Sequence, residues 1–335
     1  MARLSDYNRL LWKIKRVQKA VETKTLFKLD GFIWDVDVGA DETPPTQNSK
    51  RDEKYGIYRK YEMGQGNKKP EKLVKSKKPK SNPMDGTSTP VDIPSFCLAT
   101  HFYFRKASRE ENIAEDTIAY FKPTKLRDDV KYIVISATAD EDIYKRYFGA
   151  DRVKFYMCKR ARYTGTLNQF YEKSMSRSSI LNNPGIIDRI RKQSGFEHCI
   201  THKRFAKPGG LYYGNAEGVD FLKGKNIDII GTPYHAEFLY KLFAFAVDID
   251  VPQDAAMKPS ILVTHNGYRF RFTTYEDDNG GPLSELRQVH FWMVESDLEQ
   301  AVGRARLLRF GCVVNLFSSF PLRQGVMGVG GYGGD

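Results

Sequence analysis

Between Lys131 and Ser318, short apolar runs alternate with helix-like stretches, and this alternation limits the fold more than any other feature of the chain. "KYIVIS" (131–136) is apolar on both faces, as a strand buried in a parallel sheet would be. "DEDIYKRYFG" (140–149) follows, with acids in its first turn and Gly149 as a stop, which predicts a short helix. "RVKFYM" reads as a strand, and "NPGIIDRIRKQ" as a helix capped by Asn183 with Pro184 at its first position. "EHCITH", "GLYYG", "NIDIIGT" and "CVVNLFS" are further strand candidates, and "HAEFLYKLFAFAV" is an apolar helix. Strands alternating with helices imply right-handed crossovers, so the expected fold is α/β, a parallel sheet with helices on both faces. Ligands of such sheets sit beyond the carboxyl ends of the strands. An Asn-Gly between "ILVTH" and "YRFRFTTY" predicts a β-hairpin insertion at about 260–276.

The rest of the chain divides by composition. Residues 1–41 hold an expected amphipathic helix, with Leu10, Ile14, Val17 and Val21 on one face and Arg9, Lys13, Arg16 and Lys19 on the other, followed by a short strand, "FIWDVDV". Residues 42–95 are rich in Pro, Gly, Ser and Lys and read as a flexible basic linker or insertion. The α/β body is expected over 96–322, and the glycine-rich 323–335 reads as a disordered tail.

Net charge is +12 over 335 residues. Such an excess points to a polyanionic partner. Residues 50–80 carry twelve Lys or Arg against four Asp or Glu, so most of the excess lies in the linker. No apolar run approaches the roughly 20 residues of a membrane span, and the N-terminus lacks the apolar core of an export signal. A cytoplasmic protein without membrane contact is expected. The four cysteines form no C-x-x-C pair and read as reduced thiols. "HCITH" looks metal-like, but along a strand His198 and His202 stand about 13 Å apart, too far for one ion; no metal site is expected.

Three stretches carry candidate chemistry. "ISATAD" leaves the hydroxyls of Ser136 and Thr138 at the end of an expected strand. "AEGVDFLKGKNIDIIGTPY" (216–234) supplies Glu217, Gly218 and Asp220 before a strand that ends in Gly231-Thr232-Pro233, where backbone amides can approach a phosphate closely. "SDLEQAVGRARLLR" has Ser296 and Glu299 spaced as a capping box, so a helix is expected from about Asp297. That spacing puts Gln300, Gly303 and Arg304 in its first two turns, where guanidinium groups can grip a terminal phosphate.

Taken in order, Ser136-Ala137-Thr138, "ITHK" (200–203), "EGVDF" (217–221) with "IIGTPY" (229–234), and "QAVGRAR" (300–306) resemble motifs III to VI of superfamily 2 helicases. The "EGVDF" and G-T-P-Y pair is nearest to the Rad3 and DinG-like group and to helicases of phages and mobile elements. The resemblance implies the C-terminal RecA-like lobe of an ATP-dependent nucleic-acid motor, acting on DNA more than RNA. It implies Arg304, Arg306 and Gln300 as catalytic groups, and Glu217, Gly218, Asp220 and Gly303 facing the nucleotide. Ser136 and Thr138 would relay between lobes, and Thr201, His202, Lys203 and Thr232 would lie along the nucleic-acid backbone. The sequence departs from the family in two ways. The family spacing Q-x-x-G-R-x-x-R places its second arginine where this chain has Leu307, and no G-x-x-x-x-G-K-[ST] loop is present. ATP and Mg²⁺ would then be held mainly by an N-terminal P-loop lobe supplied from elsewhere. The alternative is a non-catalytic nucleic-acid-binding module with a degenerate helicase fold.

Overall fold

The computed structural model describes residues 4–29, 93–108, 115–123, 126–158, 161–216 and 218–327. In chain order its elements are α1 (Leu4–Val21), β1 (Leu26–Lys28), α2 (Ile93–Leu98), β2 (His101–Arg105), β3 (Thr117–Phe121), α3 (Glu141–Phe148), β4 (Thr166–Phe170), α4 (Arg177–Leu181), α5 (Ile186–Ser194), β5 (His198–Thr201), β6 (Leu211–Tyr212), β7 (Ile227–Ile230), α6 (Glu237–Ala246), β8 (Lys258–His265), β9 (Tyr268–Thr274), α7 (Pro282–Val302), β10 (Val313–Phe317) and β11 (Val326–Met327), with single 3-10 turns at Lys203–Phe205 and Gly303–Ala305. The chain forms two compact units, one of Met1–Lys19 with Leu29–Thr100 and one of Ala20–Lys28 with His101–Asp335. "FIWDVDV" and nearly all of the expected 42–95 linker lie outside the described residues.

In the first unit, Val17 of α1 is buried as its spacing predicts, but Lys13 is not on a solvated basic face. Its ammonium is fully buried and donates to the carbonyl oxygens of Cys97 (3.2 Å) and Ala99 (2.6 Å) at the end of α2. A helix end leaves its last carbonyls without partners, and a lysine is well suited to bond them.

The second unit is built on a six-stranded sheet in the order β11-β4-β10-β7-β5-β6, with every described pairing parallel. Helices lie on both faces. Alternation along the strands decides what each face receives. Leu167, Ile227, Ile229, Val314 and Leu316 enter the main core with Val294, Leu298 and Val302 of α7. Ile230 and Phe317 face the other way, onto Ile180 of α4 and Ile186 and Ile190 of α5. Asn168, Asn315 and Asp228 share that second face. Asn168 donates to Asn315 (3.0 Å), Asn315 donates to Asp228 (3.0 Å), and the Ser194 hydroxyl donates to the second Asp228 oxygen. These bonds cross three neighbouring strands at directly opposed positions, so a one-residue slip would break them all.

A three-stranded antiparallel sheet, β1-β2-β3, and a two-stranded hairpin, β8-β9, complete this unit. The hairpin turns at Asn266-Gly267, both at positive φ, and Phe270 and Phe272 pack into the main core.

Four sequence-based expectations are corrected. The runs 131–136 and 152–157 form no strand: neither pairs with a sheet, and both are largely exposed. Helix α5 starts at Ile186 with Gly185 as its cap, in the left-handed region, so Asn183 and Pro184 precede it. Helix α7 starts at Pro282 rather than near Asp297. Asp278 accepts from the amides of Leu283 and Ser284 there, and the apolar stripe runs unbroken past Ser296, which is buried in mid-helix. Finally, Val326–Met327 pairs with β4, so sheet order extends into the glycine-rich end; residues 328–335 lie outside the described residues.

Candidate functional site

The early start of α7 moves the arginine-bearing stretch from the first turns of a helix to its last. Gln300 and Arg304 then face a cleft of about 740 Å³ where strands β5, β6 and β7 exit the sheet. The β5 exit contributes His202, Lys203 and Arg204, the β6 exit Tyr212 and Tyr213, and the β7 exit Pro233, Tyr234 and His235. Arg177, the first residue of α4, closes one side and donates to the Tyr234 carbonyl at 2.9 Å. Four cationic side chains, Arg177, Lys203, Arg204 and Arg304, thus face one carboxylate, Asp297. That carboxylate is held by His235 Nε2 at 2.9 Å.

The cleft's floor is rigid. Gly231 has φ of +132°, and a Cβ there would stand 2.6 Å from His202 Nε2. Glycine is required because the backbone of the β7 exit passes directly against the imidazole. His202 is buried, contacts the Met175 carbonyl at 3.3 Å, and its pKa is pushed down to about 4 by burial, so the ring is neutral at pH 7. Tyr213 donates to the Gly231 carbonyl at 2.6 Å, and burial holds its hydroxyl well above the ordinary tyrosine range. Lys203 lies 5.7 Å from the Tyr212 ring. The chemistry available is therefore a set of cationic side chains and a tyrosine face beside a neutral, buried imidazole.

No family model, curated protein or solved structure matches this chain.

Of the residues singled out from sequence, Gln300, Arg304, His202 and Lys203 come together in the cleft. Thr201 does not: it lies 2% exposed in a separate cavity of about 220 Å³ with Arg191, Cys199 and Lys207. The Cys199 thiol there has its pKa pushed up to about 12 by burial, which keeps it protonated at neutral pH. Thr232 is fully buried, and its hydroxyl is taken by Ser318 (3.0 Å) and by Ser319, through both hydroxyl (3.1 Å) and amide (3.1 Å). It braces the β7 and β10 exits and presents nothing to a ligand. Arg306 is exposed and pairs with Asp220 at 3.3 Å, while Gly218 sits at φ of +71° in the same loop. Gly303 caps α7 with open space where a Cβ would be. Ser136 and Thr138 do not end a sheet strand; Thr138 instead accepts from Trp292 Nε1 at 2.7 Å, on α7. Glu217 lies outside the described residues. Leu307, where the resemblance wants an arginine, is a core residue at 2% exposure.

Arg177, Arg204, His235 and Asp297 were not foreseen. Arg177 stands in the serine-rich "SMSRSS", and nothing local marks it as different from any solvated arginine. Among the described residues no group of histidines, cysteines and carboxylates could hold a metal ion, and no helix is long and apolar enough to cross a membrane.

Proposed function

We propose that the cleft binds phosphate groups and that the chain acts as the C-terminal, RecA-like motor lobe of an ATP-dependent superfamily 2-type helicase, completed by a P-loop lobe from elsewhere. The observation that carries this reading is the convergence of Gln300 and Arg304 with Arg177, Lys203 and Arg204 at the carboxyl ends of parallel strands, where α/β proteins bind ligands. Arg304, half-buried at the end of α7, is the guanidinium placed to meet a terminal phosphate. Arg306 has a carboxylate partner and Leu307 is in the core, so neither competes for that role. ATP and Mg²⁺ would be held mainly by the other lobe, and DNA would follow Lys203, Arg204 and Tyr212. Supplied with a P-loop lobe, the chain should hydrolyse ATP in the presence of single-stranded DNA. Arg304→Ala should lower turnover about 10³- to 10⁵-fold, as loss of an arginine finger does. Full turnover by the unaccompanied chain, or an Arg304→Ala complex that turns over normally, defeats this reading.

One observation favours a second reading, a nucleic-acid-binding module without catalysis: the cleft sets Lys203 beside Tyr212, an arrangement suited to a backbone with a stacked base. Oligothymidylate binding by the chain alone separates the two. Four phosphate contacts give a log–log salt slope of about −3, at about −0.7 per contact. If Arg304→Ala flattens that slope while the completed complex keeps its turnover, the module reading holds.

A further inference from the structure

The cavity of about 220 Å³ that holds Thr201 lies on the α5 side of the sheet and shares no lining residue with the cleft. It sits where the edge strand β6 pairs only with Ile200 and Thr201 of β5, so that no strand borders His198 and Cys199 on that side. Two polar groups on its wall are orphaned. Among the described residues, neither the Thr201 hydroxyl nor Arg191 Nε has a hydrogen-bond partner, although both atoms are buried. Buried polar atoms are nearly always bonded, so each orphan points to a partner that the chain itself does not supply. Arg191 also donates to the Glu197 carbonyl (3.3 Å), which fixes the guanidinium at the cavity.

The opposite wall is preformed. Lys207-Pro208-Gly209-Gly210 is a β-turn closed by the Gly210 amide on the Lys207 carbonyl (2.7 Å). Proline stands in its second place and Gly209, at φ of +74°, in its third, as a type II turn requires. A Cβ on Gly210 would stand 2.9 Å from the Lys207 carbonyl oxygen, so glycine is needed there as well. Asn215 braces the turn from outside: its side chain donates to the Gly210 carbonyl (3.2 Å) and accepts from the Tyr212 amide (2.6 Å).

What this cavity offers is charge on one part and apolar surface on another. Arg191 and Lys207 supply the charge, and the one carboxylate among the described lining residues, Glu197, has a side chain 89% exposed. Ile187, Phe205 and Leu211 supply apolar surface, and Phe221 adds a ring that is 61% exposed and set edge-on to His198 at 5.9 Å. A flat apolar body would cover that ring and gain from doing so. Inorganic phosphate would meet the cations and leave the rings bare; an uncharged aromatic would do the reverse. The volume equals that of about seven waters at about 30 Å³ each and falls below the roughly 300–1,000 Å³ of drug-sized sites, so the occupant is small. We propose that this cavity binds a small, flat organic carboxylate, whose anionic end takes Arg191, Lys207 and the Thr201 hydroxyl and whose apolar body covers Phe221. This site is separate from the cleft and does not rest on the motor reading.

The test uses the full chain, isotope-labelled at isoleucine and leucine methyl groups, with benzoate as probe. The Ile187 and Leu211 methyl signals should shift saturably, with a dissociation constant of about 1 mM or below. Benzamide, which keeps the ring without the charge, and inorganic phosphate, which keeps charge without a ring, should each bind at least about tenfold more weakly. Arg191→Gln should weaken benzoate by about tenfold or more, and Lys207→Gln by about fivefold. Lys207 is exposed and forms no ion pair among the described residues, so Lys207→Gln decides the matter even if Arg191→Gln fails to fold. Thr201→Val should also weaken benzoate, yet leave the melting temperature of the free protein unchanged or higher, because its hydroxyl has no bond to lose. Absence of a saturable shift, benzamide or phosphate binding as well as benzoate, normal binding by Lys207→Gln, or a Thr201→Val protein that melts several degrees lower each overturns the proposal. Arg304→Ala should leave benzoate binding unchanged, so benzoate binding and ATP turnover stand or fall separately.

Discussion

Gly231→Ala is the sharpest probe of how the cleft is held. The substitution adds one methyl group at φ of +132°, a conformation that L residues rarely adopt, which costs about 1–3 kcal/mol. The same methyl would stand 2.6 Å from His202 Nε2, 2.9 Å from Cδ2 and 3.2 Å from Cε1. The imidazole is buried and cannot swing into solvent, so overpacking adds about 1–3 kcal/mol. A total of about 2–6 kcal/mol corresponds to a fall in melting temperature of about 4–24 °C for a unit of this size, at about 2–4 °C per kcal/mol. Differential scanning calorimetry measures it directly. A double-mutant cycle with His202→Ala separates the two causes. Removing the ring relieves the overlap and leaves the backbone strain, so the coupling energy should be about −1 to −3 kcal/mol. A Gly231→Ala protein that melts within about 2 °C of the parent, or a coupling energy of zero, would refute the argument that this glycine exists for the imidazole.

Three further outcomes follow from the same geometry. Arg306→Gly should be neutral or stabilising by up to about 1 kcal/mol in urea unfolding, since a φ of +58° suits glycine and an exposed pair with Asp220 is worth little; a loss above about 1 kcal/mol would mean the pair matters more than its exposure suggests. Asp228 is buried, which raises its pKa above the ordinary carboxylate value, so its contribution is favourable below the unfolded pKa and is lost as pH rises through the folded one; Asp228→Asn should therefore match or exceed the parent's melting temperature at pH 7.5, and a large fall there would contradict this. His101, His202 and His290 are buried and held to about 4, 4 and 3, below the unfolded value, so their contribution is present above about pH 6.5 and lost as pH falls; His290 alone should remove about 2 kcal/mol between pH 7.5 and pH 5, read from urea midpoints.

The parallel strands β5, β7 and β10 were legible because each is a short apolar run bounded by polar or glycine residues, and the hairpin because Asn-Gly permits only a few turns. Helix α3 was legible from its acidic first turn and Gly149. The start of α7 was not. Ser296 and Glu299 have the spacing of a cap, but a cap acts only where the preceding backbone leaves the helix, and packing of Leu286, Val289 and Val294 keeps it helical. The same local signal therefore put Arg304 at the wrong end of its helix. Lys13 failed for a related reason: a lysine on a polar helical face looks solvated until carbonyls from 84 and 86 residues away arrive to bond it.

Periodicity, charge and turn chemistry are local properties, and from them the chain alone determined an α/β body, its strand candidates and an arginine-bearing segment near its end. Tertiary structure decided which of those residues meet. It gathered Arg177, Lys203, Arg204, Gln300 and Arg304 into one cleft, and it put Thr201 and Thr232 out of that cleft's reach. It also left the most strand-like run of all in solvent, because apolar periodicity states that a segment seeks cover and only the assembled fold states where that cover lies.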